Sequence, residues 1–134
     1  MSEERAGWPG KIAAITLFVE DLEQAKSFYG EVFELPVLFE DANSAVFEFG
    51  ETMVNLLKAR EAPGLVAPAT MASPEQGVRF QLTLHVPDVD ARCARLRARG
   101  VELVNGPIDR PWGVRTASFA DPGGHIWEIA QPLV

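Results

Sequence analysis

The carboxylate with the widest chemical scope in this sequence is Glu128, near the end of the run Asp121-Pro122-Gly123-Gly124-His125-Ile126-Trp127-Glu128-Ile129. A turn that feeds a strand presents such a group on a firm backbone, as a general base, a metal ligand or an anchor for a bound molecule. Gln81, Thr83 and His85 share one side of an alternating stretch. Imidazole titrates near neutrality, but His85 lies four residues beyond Gln81, towards the strand end. It is therefore expected at a rim or facing solvent. His125 adjoins the turn and points away from Glu128, so a structural role is expected. Asp121 is expected to organise the Pro-Gly-Gly turn through the backbone. No phosphate-cradling glycine loop and no Ser–His or Cys–His nucleophile pattern stands out. Ser73 and Ser118 have no activating partner in sequence.

A second set of residues suits recognition. Trp112 lies close to Arg110 and Arg115, which joins an aromatic surface to cations that can neutralise an anion or stack on a planar group. Packing of Trp112 at a subunit interface or beneath a loop is an equally open alternative. Phe18 and Phe47 are expected to point inwards. Without a metal, Glu128 is expected to pair with Arg115 or to hydrogen-bond Gln81.

These side chains need elements to position them, and the chain supplies them twice. Val19-Glu20-Asp21-Leu22-Glu23 reappears as Val86-Pro87-Asp88-Val89-Asp90, 67 positions later. Each copy follows an alternating strand and opens an amphipathic helix. In the first strand Ile15, Leu17 and Val19 point one way, and Ala14, Thr16 and Phe18 the other. Helix one is expected from about Leu22 to Phe33, with Asp21 as N-cap and Gln24 three residues later. Strands are expected near 37–39, 45–49 and 53–57. Helix two is expected to start after Asp88 and stop at Gly100. Its inner stripe is Val89, Cys93 and Leu96, which makes Cys93 a core residue. Strands then follow near 101–104, 114–120 and 125–130, with Gly106-Pro107 and Asp109-Arg110-Pro111 in a loop. The organisation expected is a tail (1–10), module one (11–58), an Ala/Pro-rich linker that doubles as a possible flap (59–77) and module two (78–134). The fold class is α+β: two βαβββ modules forming a cupped, eight-stranded mixed sheet with helices on the outer face.

Composition narrows the partners. A net charge of −7 argues against binding nucleic acid or an anionic membrane. No apolar run approaches the roughly 18 residues of a membrane span, and the first ten residues lack the features of a secretion signal. A single cysteine excludes an internal disulfide framework and fits a reducing compartment. A soluble, cytoplasmic protein is expected.

The segments Ile15-Thr16-Leu17-Phe18-Val19-Glu20-Asp21-Leu22 with Phe28-Tyr29, Val86-Pro87-Asp88-Val89-Asp90, and Asp121-Pro122-Gly123-Gly124 with Glu128 resemble the vicinal oxygen chelate superfamily. That group includes glyoxalase I, bleomycin-resistance proteins, fosfomycin-resistance transferases and extradiol dioxygenases. The resemblance spans about Lys11 to Gln131 and implies paired modules around a central site, commonly in a homodimer. It also implies a metal position on the first and last strands of each module. Those positions are Ala14, Asn55, Gln81 and Glu128 in this chain. Alanine offers no ligand and amide oxygens bind transition metals weakly. No cofactor is expected, therefore. A weakly held divalent metal on Gln81 and Glu128, completed by water and substrate, is the alternative. An iron dioxygenase is disfavoured, because neither His85 nor His125 falls on a ligand position.

Two functions follow. The first is a metal-independent protein of the bleomycin-resistance type that binds an apolar or aromatic small molecule in the central cavity. Phe18, Phe47, Asn55, Gln81, Thr83, Trp112, Arg115 and Glu128 would contact the ligand. The second is a metal-assisted lyase or isomerase of the glyoxalase type, with Glu128 as catalytic ligand or base. Binding is the preferred reading.

Overall fold

The computed structural model describes residues 7–134. Residues 1–6 of the expected tail lie outside the described residues. The chain divides into two compact units, residues 1–71 and 72–134.

Unit one runs β1 (Ala14–Val19), α1 (Leu22–Val32), β2 (Val37–Glu40), β3 (Ser44–Phe49) and β4 (Thr52–Lys58). Its sheet has the order β1-β4-β3-β2, with β1 parallel to β4 and the other pairs antiparallel. Asp21 starts α1: its side chain accepts the Gln24 backbone N–H at 3.0 Å, satisfying one orphan donor of the first turn. The strand alternation sets the core. Leu17, Val19, Val54 and Leu56 are buried on the side facing α1, against Leu22, Ala25 and Tyr29.

Phe47 was expected to point at a ligand, and the structure corrects this. The residue is fully buried, pairs with Val54 in the sheet and packs its ring 5.7 Å from that of Tyr29 on α1. Pairing with Val54 assigns it to the helix side, because residues directly opposite in a ladder share a face. The segment after β4 contains a helical turn at Ala59–Glu61, a four-residue helix α2 (Pro63–Val66) and a second turn at Pro74–Gln76.

Unit two repeats the order: β5 (Gln81–His85), α3 (Val89–Ala98), β6 (Leu103–Asp109), β7 (Val114–Ala120) and β8 (Ile126–Pro132). The sheet order is β5-β8-β7-β6, with β5 parallel to β8. Asp88 caps α3 by accepting from the Ala91 N–H at 3.0 Å. Val89, Cys93 and Leu96 are buried, as are Ala117, Phe119, Trp127 and Ile129 on the strands. Burial raises the Cys93 thiol pKa above its ordinary value, so the thiol is held protonated and inert.

The expected loop at 105–110 is instead largely strand. β6 continues through Gly106-Pro107 to Asp109, with register shifts on both sides of Asn105. Gly106 has φ +89°, and a Cβ there would run into the Thr116 carbonyl and the Ala117 Cα. Only glycine lets β6 pass this close to β7. No described helix is long and apolar enough to cross a membrane.

Candidate functional site

In each unit the helix covers one face of the sheet, and the residues of opposite parity form a second face. On sheet two that face carries the polar groups. Register places Thr83 opposite Glu128, Glu128 opposite Ser118, and Ser118 opposite Asn105, so one row crosses all four strands. Thr83 Oγ1 donates a hydrogen bond of 2.9 Å to Glu128 Oε1. Gln81 and His85 flank Thr83 on the same side, opposite Ile126 and Ala130. Gln81, Thr83 and His85 are exposed and Glu128 is half-buried.

The partner of Glu128 is thus Thr83, where Arg115 or Gln81 was expected. Arg115 is a further correction. It pairs with Gln131 and lies on the helix side of β7, one position out of step with Thr116 and Ser118. Its Nε and Nη2 donate to Asp90 Oδ1 at 3.2 and 3.0 Å, and Nη1 donates to Asp109 at 2.8 Å. The hydrogen bond to Asp109, then that to Asp90, raises the guanidinium pKa. Arg115 therefore ties α3 to β6 and does not face the polar row.

Arg110 does reach that face. Its Nε donates to Thr116 Oγ1 at 2.9 Å and its Nη2 to Asn105 Oδ1 at 3.4 Å. Its guanidinium carbon lies 5.8 Å from the centre of the Trp112 ring, within cation–π range. Trp112 is 69% exposed. The turn holding both residues is closed by Arg110 N–H to Val114 O (2.7 Å) and Gly113 N–H to Arg110 O (3.0 Å).

His125 serves the turn before β8. Its Nδ1 lies 2.9 Å from Oδ2 of buried Asp121, and its backbone N–H donates to Asp121 Oδ1 at 2.8 Å. On sheet one, Ala14, Thr16 and Phe18 stand opposite Met53, Asn55 and Leu57, on the side away from α1. Asn55 Oδ1 is a buried acceptor with no partner among the described residues.

The four positions implied for a metal do not make a good donor set. Ala14 has no donor, Asn55 and Gln81 are neutral amides, and Glu128 already accepts from Thr83. Among the described residues no group of three or more His, Cys, Asp or Glu side chains is placed to hold a metal ion. A catalytic zinc-type centre uses about three such ligands.

Thr116 and Asn105 are absent from the candidates legible in the sequence, where Thr16 figures only in the strand alternation and Ser118 only as a hydroxyl without an activating partner. One signal was available: the 67-residue offset between copies maps Thr83 onto Thr16. The others depend on which residues of β6 and β7 pair, which a bulged strand hides.

The family described as Glyoxalase/Bleomycin resistance protein/Dioxygenase superfamily matches residues 11–129. The Bacillus subtilis (strain 168) protein YraH is 32% identical over 127 residues, covering 92% of this chain and 99% of YraH. Among solved structures, a glyoxalase/bleomycin resistance protein/dioxygenase from Nocardioides is similar with a TM-score of 0.81 and 28% identity, covering 92% of this chain and 83% of that one. TnmS3, an antibiotic binding protein from Streptomyces sp. CB03234, is similar with a TM-score of 0.70 and 29% identity, covering 92% of this chain and 96% of that one.

Proposed function

The chain belongs to the glyoxalase/bleomycin resistance protein/dioxygenase superfamily, and on that footing we propose that it binds an apolar or aromatic small molecule without a metal. The observation that carries this reading is the state of Glu128: its carboxylate is oriented by a neutral hydroxyl, and among the described residues it belongs to no group of three or more His, Cys, Asp or Glu side chains. An oriented carboxylate beside amide and hydroxyl groups suits hydrogen bonding to a ligand, and a few polar anchors near an aromatic surface are usual for small-molecule sites. Gln81, Thr83, Glu128 and Trp112 would make contacts on sheet two. Sheet one, taken by itself, has a comparable face, with Phe18 as an apolar surface and Asn55 Oδ1 as a buried acceptor that has no partner among the described residues. The name of TnmS3 supports binding as a use of this fold.

In this reading the protein is a cytoplasmic homodimer whose partner is a small molecule, with neither nucleic acid nor membrane as target. A lone, buried cysteine and a net charge of −7 are compatible with it. A lyase or isomerase would need an electrophile next to Glu128 to stabilise the charge formed on proton abstraction.

The test is a thermal-shift screen of planar aromatic compounds on EDTA-dialysed protein, repeated with Mn²⁺ or Zn²⁺ added. A compound that binds the native state raises the melting temperature. The expected result is a shift of equal size with and without metal. A shift that appears only with metal would overturn the proposal in favour of the metal-assisted enzyme.

A further inference from the structure

We propose that Arg110 and Trp112 form a clamp for the carboxylate of a planar aromatic ligand, on the polar face of sheet two. The inference rests on the binding reading and adds the charge and shape of the ligand.

Among the described residues Arg110 has no counter-ion. Its protein contacts are two neutral oxygens, on Thr116 and Asn105, and the indole of Trp112. The adjacent carboxylate, Asp109, is committed to Arg115 on the opposite face of the strand, together with Asp90. In a chain of net charge −7, the acidic group nearest in sequence, Asp109, is thus directed away from this guanidinium.

The hydrogen bonds leave the useful edge open. Guanidinium has five N–H groups in a fixed plane. The bonds from Nε and Nη2 occupy the side of the fork, towards Thr116 and Asn105. Nη1 and the second hydrogen of Nη2 remain, and they form the end-on pair that fits a carboxylate with two parallel bonds. Thr116 is itself buried in the middle of β7, so the fork is held by a fixed strand.

Trp112 supplies the second surface. An indole 69% exposed at the tip of a hairpin presents aromatic surface to an incoming ligand. The turn beneath it is tied to the end of the sheet as well, through Leu133 N–H to Gly113 O at 3.0 Å. A planar ligand stacked on the ring with its carboxylate on Arg110 would use both. Glu128 is two strands away along the same row, roughly 10 Å from Asn105 at the usual strand spacing. That distance separates it from the proposed anion site, and it could accept from a donor at the far end of such a ligand.

Isothermal titration of the full chain with naphthoate, naphthalenemethanol and naphthylmethylammonium tests the clamp. These probes share one ring system and differ in charge. Naphthoate is expected to bind about tenfold or more tightly than the alcohol, the usual worth of a charge-assisted hydrogen bond. Arg110→Gln should abolish that preference, Arg110→Lys should restore part of it, and Trp112→Leu should weaken naphthoate and alcohol alike. The comparison among probes on the unaltered protein needs no variant to fold. If the alcohol or the ammonium binds and naphthoate does not, or if Arg110→Gln keeps the preference, the clamp is wrong while the binding reading stands. If none of the three binds, and the wider aromatic screen is also blank, both fail together.

Discussion

Thr83 Oγ1 and Glu128 Oε1 lie 2.9 Å apart on neighbouring parallel strands of sheet two. The same relationship exists in sheet one as a pair of residue positions, Thr16 opposite Asn55. The two threonines are 67 residues apart, the offset of the duplicated unit. In one copy the threonine stands by a charge that it hydrogen-bonds. In the other it stands by an amide whose buried oxygen has no partner among the described residues.

Thr83→Val keeps the shape of the residue and removes the hydroxyl that orients Glu128. Because Thr83 is exposed, its loss should change stability by no more than about 0.5 kcal/mol. Affinity for the best aromatic ligand should fall several-fold. In a Glu128→Ala background the same substitution should have no further effect, since the two act as one unit. Titrations of the two single variants and the double variant check this.

Phe47 and Phe18 should separate the two faces of sheet one in their contribution to stability. Phe47→Ala removes a fully buried ring that packs on Tyr29, which should cost about 3–5 kcal/mol by urea denaturation. Phe18→Ala alters a half-buried ring on the opposite face. It should cost clearly less stability.

Arg115 bridges Asp90 at the start of α3 and Asp109 at the end of β6. Arg115→Met should lower the melting temperature at low salt, and the difference from the native chain should shrink at high salt as the ion pairs are screened. Ligand affinity should not change, because the guanidinium is on the helix side. A loss of affinity would mean that Arg115 reaches the ligand after all.

Asp41 gives a pH dependence. Hydrogen bonds from the Asn43 N–H, the Ser44 hydroxyl and the Ser44 N–H hold its carboxyl pKa below the ordinary value. The stabilisation is therefore present above the unfolded carboxylate pKa and disappears as pH falls through the lowered folded value. Asp41→Ala should lower the melting temperature at neutral pH, and the two proteins should converge in strong acid. Melting curves across that range decide it.

Much of this structure is legible in the sequence because local rules point the same way. Asp21 and Asp88 each sit just before an apolar stripe, and each caps a helix. Alternation in β1 and β5 separates Leu17 and Val19 from Thr16, and Leu84 from Thr83, without reference to any partner strand. The interior strands are different. Whether Phe47 or Arg115 faces a helix depends on pairing with Val54 and Gln131, and a slip of one residue reverses the side. Gly106-Pro107 reads as a turn by composition, yet it is a bulged stretch of strand, because glycine there permits close passage beside β7. Arg110 and its partners come together only through that bulge.

The central claim is that Glu128 serves a ligand without a metal, and elemental analysis of the purified protein tests it most directly, with Glu128→Ala measured alongside. The account predicts metal well below one equivalent per chain, at the same level in both proteins. A full equivalent in the native chain that is lost in Glu128→Ala would contradict it.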